Sequence, residues 1–335
     1  MIKILLLILS FFIIFFINKF RIKISNKFQL IDKPDKSRKL HSKNVPLLGG
    51  VMIFSTFVLI NLYLLFFENF DKVSILIFST STCCFVLGLI DDYKNIAYKY
   101  KFVFLIIFIY LFISLDPNLQ LNKIYFSTLE RSEIYLNNFS IPFTVLCLLL
   151  LINAINLIDG INGLCISVSI IFISWLMFTF QNTQSLYILL IVSLFYILLL
   201  NLKNNIFLGD AGSLFLGSLI GLNLISNYNL QISKVYFPVE DIFIVLMLPG
   251  LDMLRVFVLR ILNNKNPFSP DRTHLHHLLI ERGFKTGEIL LIFSLLIFAP
   301  IFFNFFTDIK QIIIIVFFIL FYFILFYCLV KFFKF

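Results

Sequence analysis

Apolar runs recur along the whole 335-residue chain, each close to the roughly 20 residues that a helix needs to cross a bilayer core. They lie at about 2–18, 47–67, 73–90, 102–115, 141–158, 164–180, 185–200, 211–226, 239–262, 288–306 and 311–330. The pattern predicts about eleven transmembrane helices joined by polar loops. Pro249-Gly250 interrupts the ninth run, which also carries Asp252, Arg255 and Arg260. That helix is therefore expected to be broken, as happens where a span lines a cavity. Between the fourth and fifth runs, Lys123-Ile-Tyr-Phe and Ile134-Tyr-Leu flank Glu130-Arg131-Ser132-Glu133, an alternation that predicts a short hairpin.

Composition excludes a soluble globule. With 60% apolar residues and a mean hydropathy of +1.00, the chain has too few polar side chains to cover a surface in water. It reads as a single-domain, all-α polytopic integral membrane protein over residues 1–335. The first run lacks a small-residue cleavage site and is followed by Lys19, Arg21 and Lys23, so it reads as a retained span, not a signal peptide. Lys and Arg set the orientation. With the N-terminus outside, only Lys3, Lys72, Lys123, Arg131, Lys234 and Lys310 of the 27 basic residues face outward, which predicts N-out and C-in. The net charge of +9 is then mostly the positive-inside signal, and nucleic acid is not needed as a partner. The cysteines, at 83, 84, 147, 165 and 328, sit in apolar runs without ligand spacing and read as packing residues.

Candidate chemistry gathers on one side of that topology. The third run ends in Gly88-Leu-Ile-Asp91-Asp92-Tyr93, with Lys94, Lys99 and Lys101 following; paired carboxylates there are either a wetted helix end or a site needing a cation. The first inner loop holds Arg38, Lys39 and His41 before Val45-Pro46-Leu-Leu-Gly49-Gly50, a basic stretch that is either ordinary positive-inside charge or a site suited to phosphate, with glycines that permit close approach. Asn153, Asn156 and Asp159 stand three apart and make a polar stripe on the fifth helix, ahead of Gly160 and Gly163. Such a stripe faces either a hydrated cavity or a neighbouring helix. Asp210, between Gly209 and Gly212 at a helix start, is either an N-cap or a carboxylate beside a bound phosphate and its magnesium. The largest inner loop carries Arg272, His274, His276 and His277. Their spacing, without cysteine, fits phosphate contacts better than a zinc site. Every one of these stretches falls on the predicted cytoplasmic face, whereas the outer loops hold no comparable motif. That asymmetry points to one inner-face site with carboxylates for a divalent metal and cations for phosphates.

In order, Arg38-Lys39-Leu-His41 with Val45-Pro46-x-x-Gly49-Gly50, Leu89-Ile-Asp91-Asp92, Asn153-x-x-Asn156-x-x-Asp159-Gly160-x-x-Gly163-Leu164, Gly209-Asp210-Ala-Gly212-Ser213 and Pro270-Asp271-Arg272-x-His274-x-His276-His277 resemble the polyprenyl-phosphate N-acetylhexosamine-1-phosphate transferases. The likeness runs from about Lys33 to Phe284. Its loop is more similar to the bacterial undecaprenyl-phosphate N-acetylglucosamine branch than to the peptidoglycan-precursor branch. The resemblance implies a multi-pass enzyme of the bacterial inner (cytoplasmic) membrane, with its site facing the cytoplasm. Undecaprenyl phosphate would attack the sugar-proximal phosphorus of a UDP-sugar, releasing UMP, as the first lipid-linked step of an envelope polysaccharide. It implies Mg2+, with Mn2+ as the alternative ion, held by Asp210 and Asp159. Asp91 and Asp92 would be the catalytic pair at the lipid phosphate. Lys39, His41, Asn153, Asn156, Asp159, Arg272, His274, His276 and His277 would bind substrate. Membrane lipid and a second copy of the chain are the other expected partners. A lipid-linked sugar transporter is the rival class; it would place its site near the midplane between inverted repeats, and no internal repeat is visible.

Overall fold

A computed structural model of the chain describes residues 2–34, 44–68, 70–128, 133–180, 184–232, 237–266 and 272–331. The order is α1 (Ile2–Lys19), α2 (Arg21–Phe28), β1 (Ile31–Asp32), β2 (Val45–Pro46), α3 (Gly49–Phe67), α4 (Lys72–Lys94), α5 (Tyr98–Ile113), β3 (Lys123–Tyr125), β4 (Glu133–Tyr135), α6 (Ser140–Ile158) and α7 (Leu164–Thr179). It continues with α8 (Gln184–Leu202), α9 (Gly209–Ile232), α10 (Val239–Leu262), α11 (Leu275–Glu281), α12 (Thr286–Phe306) and α13 (Gln311–Lys331). Each apolar run of the sequence is a helix, the form that satisfies every backbone polar group within one segment of hydrocarbon. Among the described residues, seven helices are long and apolar enough to cross a membrane, or up to eight if α1 and α2, bent by 70°, count as one span. The chain is a multi-pass membrane protein.

The predicted hairpin is present: β3 pairs antiparallel with β4, Ile124 opposite Ile134. It is tied to the bundle where the Tyr228 hydroxyl accepts from the Tyr125 amide and where Glu240 accepts from Ser127 and Thr128. The expected break in the ninth span is not there. α10 runs unbroken from Val239 to Leu262 with Pro249 inside it. A proline removes one i→i−4 bond, and a helix packed among neighbours absorbs that loss locally.

α9 is the hub. Of its apolar stretch 89% is buried, against 28% for α12 and for α13. Small residues at Gly209, Ala211, Gly212, Ser213, Gly217, Ser218 and Gly221 let neighbouring backbones come close, the usual route to tight packing where lipid offers no hydrophobic drive between helices. A Cβ on Gly217 would stand 2.8 Å from Ile152 Cα of α6, and one on Gly88 of α4 would collide with the backbone of Asp210 and Ala211. The start of α3 is locked in the same way. The Gly49 and Gly50 amides, which a helix N-terminus leaves unpaired, donate to Phe207 O and Leu208 O at 2.9 Å each. Gly88→Ala is therefore expected to force α4 and α9 apart and cost about 1–3 kcal/mol, as overpacking does. Gly250→Ala, whose Cβ would meet nothing within 4 Å, should be neutral to stabilising. Apparent melting midpoints of the two variants in detergent check the contrast.

Candidate active site

The ends of α4, α6 and α9 meet the α6–α7 and α8–α9 loops at a cavity of about 1690 Å³. A single-ligand pocket takes roughly 300–1,000 Å³, so this one has room for two substrates. Asp91, Asp92, Asn156, Asp159, Asp210, Arg272 and His277 line it, joined by Lys33, Lys203 and Lys285. Chain segments as far apart as Asp91 and His277 thus supply one wall. Lys39 and His41 lie outside the described residues. Asn153 is on α6 but bonds back to Leu149 O at 2.8 Å and is not on the cavity wall. Beside the cavity an apolar groove of about 640 Å³ runs between α2, α3 and α4, sharing Gln29 and Tyr93 with it.

Lys101 joins the two acidic motifs. Its Nζ donates to Asp91 Oδ2 and to Asp210 Oδ2, both at 2.8 Å, with only 15% of the lysine side chain exposed. Asp91 is completed by the Ile96 amide at 2.6 Å, and Asp210 by Asn156 Nδ2, which also donates to Ser213 Oγ. The sequence showed Lys101 only as part of a basic patch. Its signal was its place in the first turn of α5, directly ahead of an apolar run, where an unpaired cation is costly.

Asp92 does something different from its neighbour. Its two oxygens accept the amides of Asp210 and Ala211 at 2.8 and 3.0 Å. α4 therefore caps the first turn of α9, and a negative charge there also suits the helix dipole. Gly209, at φ +75, makes the left-handed turn into that helix against the Asp92 carboxylate. Asn201, buried, stitches the loops between helices by accepting from Gly163 N and donating to Ile206 O at 3.0 Å. Nothing in the sequence singled it out.

The histidines divide. His277 and Arg272 reach the cavity. His274 and His276 are 4% and 1% exposed and lie behind the wall. His276 abuts Gly160, where any Cβ would meet its Nε2. Burial, then the neighbouring His277, pushes its imidazole down to about 3, so it stays neutral at physiological pH.

Among the described residues no three His, Cys, Asp or Glu side chains converge as a ready-made metal cage. Magnesium does not require one: it keeps several waters and takes one or two carboxylates together with substrate phosphates. Asp159 and Asp210 face the same cavity and supply hard oxygen donors, so the wall fits that ion.

A model described as glycosyl transferase family 4 matches residues 74–227, which contain Asp91, Lys101, Asn156, Asp159 and Asp210. The undecaprenyl-phosphate alpha-N-acetylglucosaminyl 1-phosphate transferase of Thermotoga maritima is 31% identical over 296 residues, covering 86% of this chain and 85% of that protein. The chain belongs to glycosyl transferase family 4. A second relative, from Bacillus subtilis (strain 168), is named a probable undecaprenyl-phosphate N-acetylglucosaminyl 1-phosphate transferase. It is 30% identical over 280 residues, 82% of this chain and 76% of its own. The Escherichia coli (strain K12) undecaprenyl-phosphate alpha-N-acetylglucosaminyl 1-phosphate transferase is 27% identical over 293 residues, 82% and 75%.

One electrostatic property of this family 4 site is open to measurement without substrate. Burial, with Asp210 and Asp92 adding like charge, raises the Asp159 carboxyl well above its ordinary range. A raised acid keeps its proton in the folded chain at pH values where the unfolded chain has lost it. That stabilisation is complete below the ordinary carboxylate range and disappears as pH climbs through the raised value. In metal-free protein the melting midpoint should accordingly decline as pH rises, and Asp159→Asn should flatten the decline. A profile that Asp159→Asn leaves unchanged contradicts this.

Proposed function

We propose that the chain transfers N-acetylglucosamine-1-phosphate from UDP-N-acetylglucosamine to undecaprenyl phosphate, releasing UMP and leaving undecaprenyl-diphosphate-N-acetylglucosamine. An oxygen of the lipid phosphate forms a bond to the sugar-proximal phosphorus, and the bond from that phosphorus to the bridging oxygen of UMP breaks. The observation that carries this reading is the Lys101 ammonium held between Asp91 and Asp210, two carboxylates on the wall of a cavity large enough for two substrates. The names of the relatives favour N-acetylglucosamine over the peptidoglycan precursor as the transferred unit. A cavity at one end of the bundle, not at its middle, favours an enzyme over a transporter.

The roles follow from placement. The cations Arg272, Lys33, Lys203 and Lys285 on the wall draw in and orient the diphosphate and spread its charge in the transition state, the main lever in phosphoryl transfer. Asp91 has both oxygens engaged by Ile96 N and Lys101 Nζ. This supports a role in aiming Lys101 at the lipid phosphate ahead of a role as base, since that phosphate has a second pKa of about 6 and is already largely ionised. The apolar groove beside Asp91 keeps a lipid tail within reach of it. Asp210 and Asp159 would hold Mg2+, whose charge would offset that of the diphosphate. We further read the chain as eleven spans, N-out and C-in, in the bacterial cytoplasmic membrane with the cavity toward the cytoplasm, the orientation its Lys and Arg distribution favours. UDP-sugar is available on that side.

Purified protein given labelled UDP-N-acetylglucosamine, undecaprenyl phosphate and Mg2+ should move label into the organic phase with one UMP per lipid. Asp210→Asn should lower the rate by about 100-fold or more, the scale of losing one preorganised electrostatic group, and chelation should abolish it until Mg2+ is restored. No UMP release, with movement of lipid-linked sugar across vesicles instead, would contradict the proposal.

A further inference from the structure

A buried charged cluster lies behind the cavity, and the proposed chemistry does not use it. Asp252 and Arg255 sit one turn apart on α10, 5% and 7% exposed. Asp252 Oδ1 accepts from Arg255 Nη2 at 2.7 Å, from the Tyr322 hydroxyl at 2.9 Å and from the Leu275 amide at 3.0 Å. Its other oxygen is 2.8 Å from His274 Nδ1. A carboxylate only accepts, so Nδ1 carries the proton. Arg255 Nε donates to Tyr322 Oη at 2.8 Å and its Nη2 to Thr273 O at 2.7 Å. The guanidinium lies over the Phe326 ring at 4.2 Å, a cation–π contact. Tyr322 and Phe326 are one turn apart on α13, the last helix, well outside residues 74–227 that the family model matches.

Such a cluster could be no more than a staple between α10 and α13, since polar side chains do bond helices together in membranes. What it grips says otherwise. Three of its bonds fall on the consecutive residues Thr273, His274 and Leu275. These stand between Arg272 and His277, the two members of the loop on the cavity wall. The Leu275 amide is one of the donors that the start of α11 would otherwise leave unpaired, so the carboxylate also fixes where that helix begins.

We propose that Tyr322, acting through Asp252 and Arg255, is a positioning residue that holds Arg272 and His277 in register with the substrate diphosphate. Tyr322 touches no substrate. It orients both members of the Asp252–Arg255 pair, donating to one and accepting from the other, and that pair grips the loop. α13 is therefore part of the active-site apparatus despite its distance in sequence. Removing a charged partner would leave its mate buried and unpaired and would unfold the region, so the informative change is Tyr322→Phe, which deletes one oxygen and keeps the ring.

The inference rests on the proposed reaction only for its kinetic arm. In the full chain, hydrogen exchange of the α11 amides should speed up about tenfold in Tyr322→Phe while that of α9 stays as in the wild type. Turnover of UDP-N-acetylglucosamine should fall about tenfold in kcat/KM, with KM for undecaprenyl phosphate within twofold. In an Arg272→Ala background the same change should cost less than twofold, because its route of action is already lost. Phe326→Leu, which keeps bulk but removes the aromatic face, should shift both readouts the same way by a smaller factor. Unchanged α11 exchange, or an equal kinetic loss with and without Arg272, overturns the inference. If the wild-type chain releases no UMP, the proposed reaction fails, and the exchange arm alone then decides the role of Tyr322.

Discussion

One ammonium group between two carboxylates holds the cavity end of this protein together. Asp91 and Asp210 belong to helices separated by more than a hundred residues, and packing brings their carboxylates to one place at the edge of hydrocarbon. Two such charges without a cation would repel and would each lack compensation for lost water. Lys101, rising from the start of the next helix, reaches both at 2.8 Å. Breaking a buried pair by removing one member typically costs about 3–5 kcal/mol, because the survivor is left uncompensated. The ion triad is therefore a structural clasp that keeps a cation against two carboxylates of the cavity wall.

The glycines make the clasp possible. Gly50 and Gly88 allow α3 and α4 to touch the first turn of α9 at the backbone, which puts the Asp92 carboxylate onto the amides of Asp210 and Ala211. Adjacent acids thus divide their work: Asp92 fixes the start of α9, and Asp91 holds Lys101 against Asp210. A cap from another helix holds the Asp210 backbone firmly, since two strong bonds must break together before it can move. The division also explains why a glycine-flanked aspartate at a helix start, a common local signal, is here part of a long-range site.

Much of this was legible in the sequence because hydrocarbon imposes simple rules. Every apolar run became a helix, the alternating stretch at 123–136 became a hairpin, and Asp91, Asp92, Asn156, Asp159, Asp210, Arg272 and His277 came to one cavity. The misses share a cause, which is that side-chain direction depends on partners far along the chain. Lys101 looked like one more positive-inside lysine until α9 supplied Asp210. Pro249 looked like a break, yet the helix carries it through. His274 and His276 resemble His277 in spacing, but Asp252 turns the first inward, and close packing at Gly160 keeps the second there. Asn153 has the right periodicity for the cavity face and spends its amide on its own backbone. No local pattern distinguishes these outcomes.

The central claim, that Lys101 is shared between the two acidic motifs, is most directly tested by a double-mutant cycle on stability in mixed micelles. Lys101→Met, Asp91→Asn and the double variant would be unfolded by denaturant under identical conditions. The shared ion triad predicts strong non-additivity, with the double variant less destabilised than the sum of the singles by at least about 1.5 kcal/mol, the range seen for residues in one network. Additivity within about 0.5 kcal/mol, as expected of independent sites, would contradict it.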